Sequence, residues 1–129
     1  MVGDYVLDTN VFVAYFNGDP AVIDKIIAAR DVIVPVVALG ELQYGAAASQ
    51  RSQENHVRIR ELLRWARLAI CDDVTAEFYG EIKASLRLKG RPIPDNDIWI
   101  AATAMQFGLP LVSRDEHFRH ISSLDWQAW

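Results

Sequence analysis

Short apolar runs alternate with longer stretches of helical periodicity along this chain. Tyr5-Val6-Leu7, Val32-Ile33-Val34, Leu68-Ala69-Ile70 and Leu109-Pro110-Leu111-Val112 are almost continuously apolar, the pattern of strands buried on both faces of a parallel sheet. Between them, Ile59, Leu62, Leu63 and Ala66 recur at i, i+3, i+4 and i+7, as do Ile98, Ala101, Ala102 and Met105, which places each set on one side of a helix. The second of these helices is predicted to stop at Gly108, with Pro110 just beyond. A third, around Phe78, Ile82 and Leu86, is predicted to stop at Gly90-Arg91-Pro92. Strand alternating with helix argues for an α/β fold, a three-layer α/β/α sandwich around a mostly parallel sheet. No repeat, low-complexity tract or Ser/Gly linker interrupts the pattern, so residues 1–129 are predicted to form a single domain.

Composition narrows the class. At 129 residues and 51% hydrophobic, a chain buries about two thirds of its unfolded surface and needs no disulfide or structural metal to fold. Cys71 is the single cysteine, which removes the case for a disulfide-stapled scaffold. Met1 to Tyr5 lacks the basic and apolar regions of a signal peptide. The longest apolar candidate, Val32 to Gly40, contains Pro35 and falls short of the ~18 residues a membrane span requires. A cytoplasmic location with no membrane association is therefore expected.

The formal charge is −4, which argues against adhesion to nucleic acid by bulk charge. The distribution is uneven: the first fifty residues hold Lys25 and Arg30 against six acids. Two of the chain's carboxylates stand in apolar settings. Glu41 lies in Val36-Val37-Ala38-Leu39-Gly40-Glu41-Leu42, a helix opening after a strand, and Asp97 lies in the first turn of the apolar Ile98-Trp99-Ile100-Ala101-Ala102 helix. Asp8 directly follows the first strand and Asp115 follows the last, so both fall at the carboxyl edge of the sheet, where open α/β sheets bind ligands. Buried carboxylates need a cation, a hydrogen-bonding shell or a proton. Hard divalent cations such as Mg²⁺ and Mn²⁺ meet that need with oxygen ligands. Each acid also has a plainer use: Asp8 and Asp115 in turns, Glu41 on a solvated helix face, Asp95 or Asp97 as a helix cap or dipole partner.

Taken in order, Leu7-Asp8-Thr9-Asn10, Gly40-Glu41-Leu42, Asn96-Asp97-Ile98-Trp99-Ile100-Ala101-Ala102 and Ser113-Arg114-Asp115 resemble the four acidic motifs of the PIN-domain ribonucleases, and more narrowly the VapC-type toxins of toxin–antitoxin pairs. The resemblance spans the whole chain. It implies a divalent-metal-dependent endoribonuclease that leaves 5′-phosphate and 3′-hydroxyl ends, acts on tRNA or rRNA, inhibits translation, forms a homodimer and is neutralised by a VapB-like antitoxin. By motif, Asp8, Glu41, Asp97 and Asp115 become the catalytic, metal-binding acids, while Thr9, Asn10 and Ser113 become supporting polar groups. Asp95, whose position has no dependable acidic counterpart in the family, either tunes the site or caps its helix.

An RNA substrate calls for cations along its backbone. Lys83, Arg87, Lys89 and Arg91 lead into the Asp97 helix, and Arg114 adjoins Asp115, so Arg91 and Arg114 are the expected substrate contacts. Arg60, Arg64 and Arg67, at i, i+4 and i+7, form a solvated row. Trp65, Trp99, Trp126, Trp129, Tyr15, Phe16 and Tyr44 are expected in the core or at interfaces. His117 and His120 form a His-x-x-His without partners, a weak zinc signal beside so many oxygens, and Cys71 is expected to be inert core. A receiver domain would need an acidic pair after the first strand, and a haloacid dehalogenase-type phosphohydrolase Asp-x-Asp, where residue 10 is Asn. A PIN-like module that binds RNA or protein without cutting is the alternative.

Overall fold

A computed structural model describes residues 3–129; Met1 and Val2, part of the start read above for a leader, lie outside the described residues. The strands are β1 (Asp4–Leu7), β2 (Asp31–Pro35), β3 (Arg67–Ala69), β4 (Leu111–Val112) and β5 (Trp126–Gln127). The helices are α1 (Thr9–Phe16), α2 (Pro20–Ala28), α3 (Val36–Ala48), α4 (Ser52–Trp65), α5 (Asp73–Leu88) and α6 (Asp95–Phe107). The sheet order is β3-β2-β1-β4-β5, and every pairing is parallel. Strand order therefore reverses between β2 and β4, on either side of β1.

Successive strand residues point to opposite faces, and the core divides accordingly. Val6, Ile33 and Leu111 pack with Ile82, Leu86, Ile98 and Ala101 from α5 and α6. Leu7, Val32, Val34 and Val112 pack with Phe12, Val22, Leu42, Ile59 and Leu62 from α1, α2, α3 and α4. Helix α3 serves both layers, with Ala38 on the first side and Leu42 and Ala46 on the second. These are the expected three layers. Among the described residues no helix is long and apolar enough to cross a membrane.

Helix boundaries follow local chemistry. Asp19 caps α2 by accepting from the Ala21 and Val22 amides, with Pro20 in the first turn, where a missing N–H costs nothing. Asp72 and Thr75 cap α5 reciprocally, and Gly108 ends α6 at φ +64°, a conformation that favours glycine. The predicted stop near Gly90 is also observed.

Three boundary expectations need correction, and a fifth strand joins the four predicted. β3 begins at Arg67, which pairs with Ile33 in the ladder and reaches Asp31 at 3.1 Å, and ends at Ala69, before Ile70; Arg67 is not the third member of a helical arginine row. β4 excludes Leu109 and Pro110, since proline has no N–H for the ladder, although the Pro110 carbonyl still accepts from the Val6 amide at 2.9 Å. The two-residue β5 carries no sequence pattern of its own. Cys71 lies beyond the end of β3 and is half-buried rather than core; burial pushes its thiol pKa up, away from the reactive thiolate.

Candidate metal centre

The carboxyl ends of β1 and β4 are neighbours, with Leu7 opposite Val112 in register, so the residues that follow them emerge side by side. Asp8 is 4% exposed, and its amide donates to the Val112 carbonyl at 2.9 Å. Its side chain caps α1 by accepting from the Thr9 amide at 2.8 Å. It also accepts from the fully buried Ser113 hydroxyl at 2.7 Å. Capping and site membership, posed above as alternatives, are thus combined in one carboxylate.

Ser113 is the hub of the floor. Besides donating to Asp8, its oxygen accepts from the Asp115 amide at 3.0 Å and from Asn10 Nδ2 at 3.3 Å. Asn10 in turn accepts from the Arg114 amide at 3.2 Å. Thr9 donates to Glu41 Oε1 at 2.7 Å, tying the α3 carboxylate to the end of β1. Thr9, Asn10 and Ser113 thus each make a hydrogen bond to one of the acids or to the loop that carries Asp115.

Asp8, Glu41 and Asp97 each offer an oxygen within 4.8 Å of the other two, and Asp97, Asp115 and His117 form a second set with the same spacing. Asp97 belongs to both. Burial is the largest cause pushing the Asp97 carboxyl up to about 6, followed by repulsion from Asp8 and opposed by His117. Burial also raises Asp8, against the pull of the Ser113 hydrogen bond. Carboxylates driven toward neutrality by one another and by burial are the environment that a divalent cation relieves. The donor set, four carboxylates and one imidazole, fits such an ion.

His117 is the member that sequence reasoning missed. In the sequence it stands as half of a His-x-x-His pair with His120, whereas its partners are acids from α6 and from the end of β4. Nε2 lies 3.0 Å from Asp97 Oδ2 and Nδ1 lies 3.1 Å from Asp115 Oδ1. Despite that proximity Nε2 is buried and makes no hydrogen bond, because it lies off the hydrogen-bonding direction. The available signal was its position two residues after Asp115, in the first turn of a 3₁₀ helix at Glu116–His120 that Asp115 caps.

Other expectations are redirected. Asp95 neither caps α6, whose cap is Pro94, nor joins the acids; it accepts from Lys83 Nζ at 2.9 Å and from the Tyr79 hydroxyl at 3.0 Å. Lys83 is thereby committed to Asp95. The Arg114 guanidinium is likewise committed, to Asp19 at 2.7 Å and to the Trp129 carbonyl at 3.1 Å, and so serves as a tether. Lys89 donates to the His120 carbonyl at 2.8 Å. Arg91 is exposed. Of the aromatics, Trp99 stacks on Tyr79 at 4.2 Å, Trp129 meets Tyr5 edge-on, and Tyr44 and Trp65 are exposed.

The chain is similar to known proteins along most of its length. The PIN domain family matches residues 5–124. The chain is 35% identical over 130 residues to Ribonuclease VapC2 of Haemophilus influenzae, covering 97% of each chain. It is 28% identical to the tRNA(fMet)-specific endonuclease VapC of Shigella flexneri, again over 97% of each. Among solved structures, VapBC2 from Rickettsia felis bound to a DNA fragment from its promoter superposes with a TM-score of 0.90 at 26% identity, covering 100% of this chain and 99% of that one. With its acids gathered at the topological switch of the sheet and these similarities running its full length, the chain belongs to the PIN domain family, within its VapC group.

Proposed function

We propose that this protein is a divalent-cation-dependent endoribonuclease, using Mg²⁺ or Mn²⁺, and the toxin of a pair whose VapB-like antitoxin silences it. The observation that carries the reading is the pair of three-residue ligand sets sharing Asp97. Asp8, Glu41, Asp97 and Asp115 are the catalytic, metal-holding acids. A bound cation supplies Lewis acidity, polarising a phosphoryl oxygen and easing deprotonation of water. The chain's own part is to fix the carboxylates: Ser113 holds Asp8, Thr9 holds Glu41, and the Asn10–Arg114 contact fixes the loop that carries Asp115. In the hydrolysis the water oxygen bonds to phosphorus, the P–O3′ bond breaks, and the departing 3′ oxygen takes up a proton, leaving 5′-phosphate and 3′-hydroxyl ends.

Relatives named for ribonuclease and tRNA endonuclease activity, and neighbours solved as VapBC assemblies, support an RNA substrate and an antitoxin partner. A homodimer acting in the cytoplasm on tRNA or rRNA completes the proposal. Arg91 is the proposed backbone contact; Arg114 is not, because Asp19 occupies it. Incubation of total bacterial RNA with the protein in Mg²⁺ or Mn²⁺, with EDTA and Asp97→Asn controls and sequencing of new 5′-phosphate ends, tests this. Discrete ends that require both metal and Asp97 are expected. Their absence with folded, antitoxin-free protein would favour a non-catalytic binding module.

A further inference from the structure

We propose that His117 is a nitrogen ligand of a second divalent-cation position, formed with Asp97 and Asp115 beside the all-oxygen position of Asp8, Glu41 and Asp97. The inference rests on the reading of the acid cluster as a metal centre and adds to it a ligand of different chemistry. Its first support is spatial: the ligating atoms of Asp97, Asp115 and His117 lie within 4.8 Å of one another.

The second support is the state of the imidazole. Nε2 is buried and without a hydrogen-bond partner, 3.0 Å from Asp97 Oδ2. Buried polar nitrogens are ordinarily satisfied, so an unpaired ring nitrogen beside a carboxylate cluster points to a position completed by something else. Nδ1 lies 3.1 Å from Asp115 Oδ1, so the ring stands between the two carboxylates that would share a cation with it.

The third support is rigidity. The ring packs edge-on against Phe118 at 4.8 Å between centroids, and Phe118 is fully buried. The backbone beneath is held by the Asp115 cap of the 3₁₀ helix. His117 is thus preorganised.

The donor sets differ in charge and softness. Three carboxylates suit Mg²⁺ or Mn²⁺ alike, whereas two carboxylates and an imidazole suit Mn²⁺ better than the oxygen-seeking Mg²⁺. The second position is therefore selective for Mn²⁺ and fills after the first.

Tag-free protein titrated with Mn²⁺, followed by isothermal calorimetry and by electron spin-echo modulation, tests this without reference to cleavage. Two Mn²⁺ per protomer with ¹⁴N modulation are expected for the wild type. His117→Ala is expected to lose the modulation and to weaken the second Mn²⁺ by about tenfold or more, while Asp8→Asn weakens the first and retains the modulation. Melting of each metal-free variant confirms that it is folded. Two bound Mn²⁺ without nitrogen modulation, or an unchanged second site in His117→Ala, would overturn the proposal and identify His117 as a simple ion-pair partner of the acids. One bound Mn²⁺ with metal-dependent RNA cleavage overturns this inference alone. No Mn²⁺ binding and no cleavage removes the metal-centre reading and this inference with it.

Discussion

Replacing Asp97 by Asn is expected to stabilise the metal-free protein while removing its response to divalent cations. Asp97 is held between Asp8, Glu41 and Asp115, and burial with repulsion lifts its carboxyl from the ordinary 3.8 to about 6. At about 1.36 kcal/mol per pH unit, that gap sets an upper bound of about 3 kcal/mol on the cost of carrying the charge in the fold. The side chain keeps 17% exposure and solvent screens the repulsion, so about 1–2 kcal/mol is the realistic gain from Asn. Because the folded state holds its proton more tightly than the unfolded state, the penalty is absent below about pH 4, grows through pH 6 and is complete above it. Denaturation in EDTA at pH 8 should therefore show the Asn variant melting about 3–8 °C higher, with the difference closing at pH 4. Cation reverses the order, since a ligand at a hundred times its Kd stabilises the wild type by about 2.7 kcal/mol. A variant less stable than wild type at pH 8 in EDTA, or a difference independent of pH, would refute electrostatic repulsion as the state of the empty cluster.

Three further outcomes follow from the geometry. Ser113→Ala strips a buried donor from Asp8 and an acceptor from Asn10 and the Asp115 amide; a loss of about 1–3 kcal/mol is expected in urea unfolding with the slope unchanged. Gly108→Ala and Gly40→Ala should move stability in opposite directions in the same assay. Neither added methyl meets an atom within 4 Å, yet position 108 sits at φ +64° and loses about 1 kcal/mol, whereas position 40 is inside α3 and gains up to about 1 kcal/mol. Arg91→Ala should lower the slope of log RNA affinity against log salt by about 1, while Asp95→Asn, distant from the acids in its partners, leaves cleavage unchanged.

The sheet and the acids were legible because their signals are local. Val6 and Leu7 are apolar and adjacent since β1 is covered on both faces; Asp8 and Asp115 follow strands, Asp97 opens a helix, and Glu41 interrupts an otherwise apolar helical stretch. The illegible parts depend on partners far along the chain. Arg114 looked free beside Asp115, but its guanidinium goes to Asp19, 95 residues away. Asp95 resembled a helix cap, yet Lys83 on the preceding helix takes it. His117 carries no ligand spacing along the sequence, since its partner Asp97 arrives through the packing of α6. β5 exists because the Asp125 and Gln127 carbonyls accept from the Leu111 and Ser113 amides, a contact that two-residue strands cannot announce.

The hydrogen bond between Asp8 and Ser113 spans 105 positions, and this separation has a consequence for biosynthesis. A chain emerging from the ribosome exposes Asp8, Glu41 and Asp97 before β4 exists, so those acids stand on a sheet whose central strand has one unpaired edge. Only when residues 111–115 have cleared the exit tunnel is β1 flanked on both sides and Asp8 secured. Pairings so distant in sequence form late and slowly. A nascent or stalled fragment ending before Leu111 therefore carries three of the four acids without the strand that flanks β1 or the Ser113 hydroxyl that secures Asp8, so the site gains its floor later than its acids.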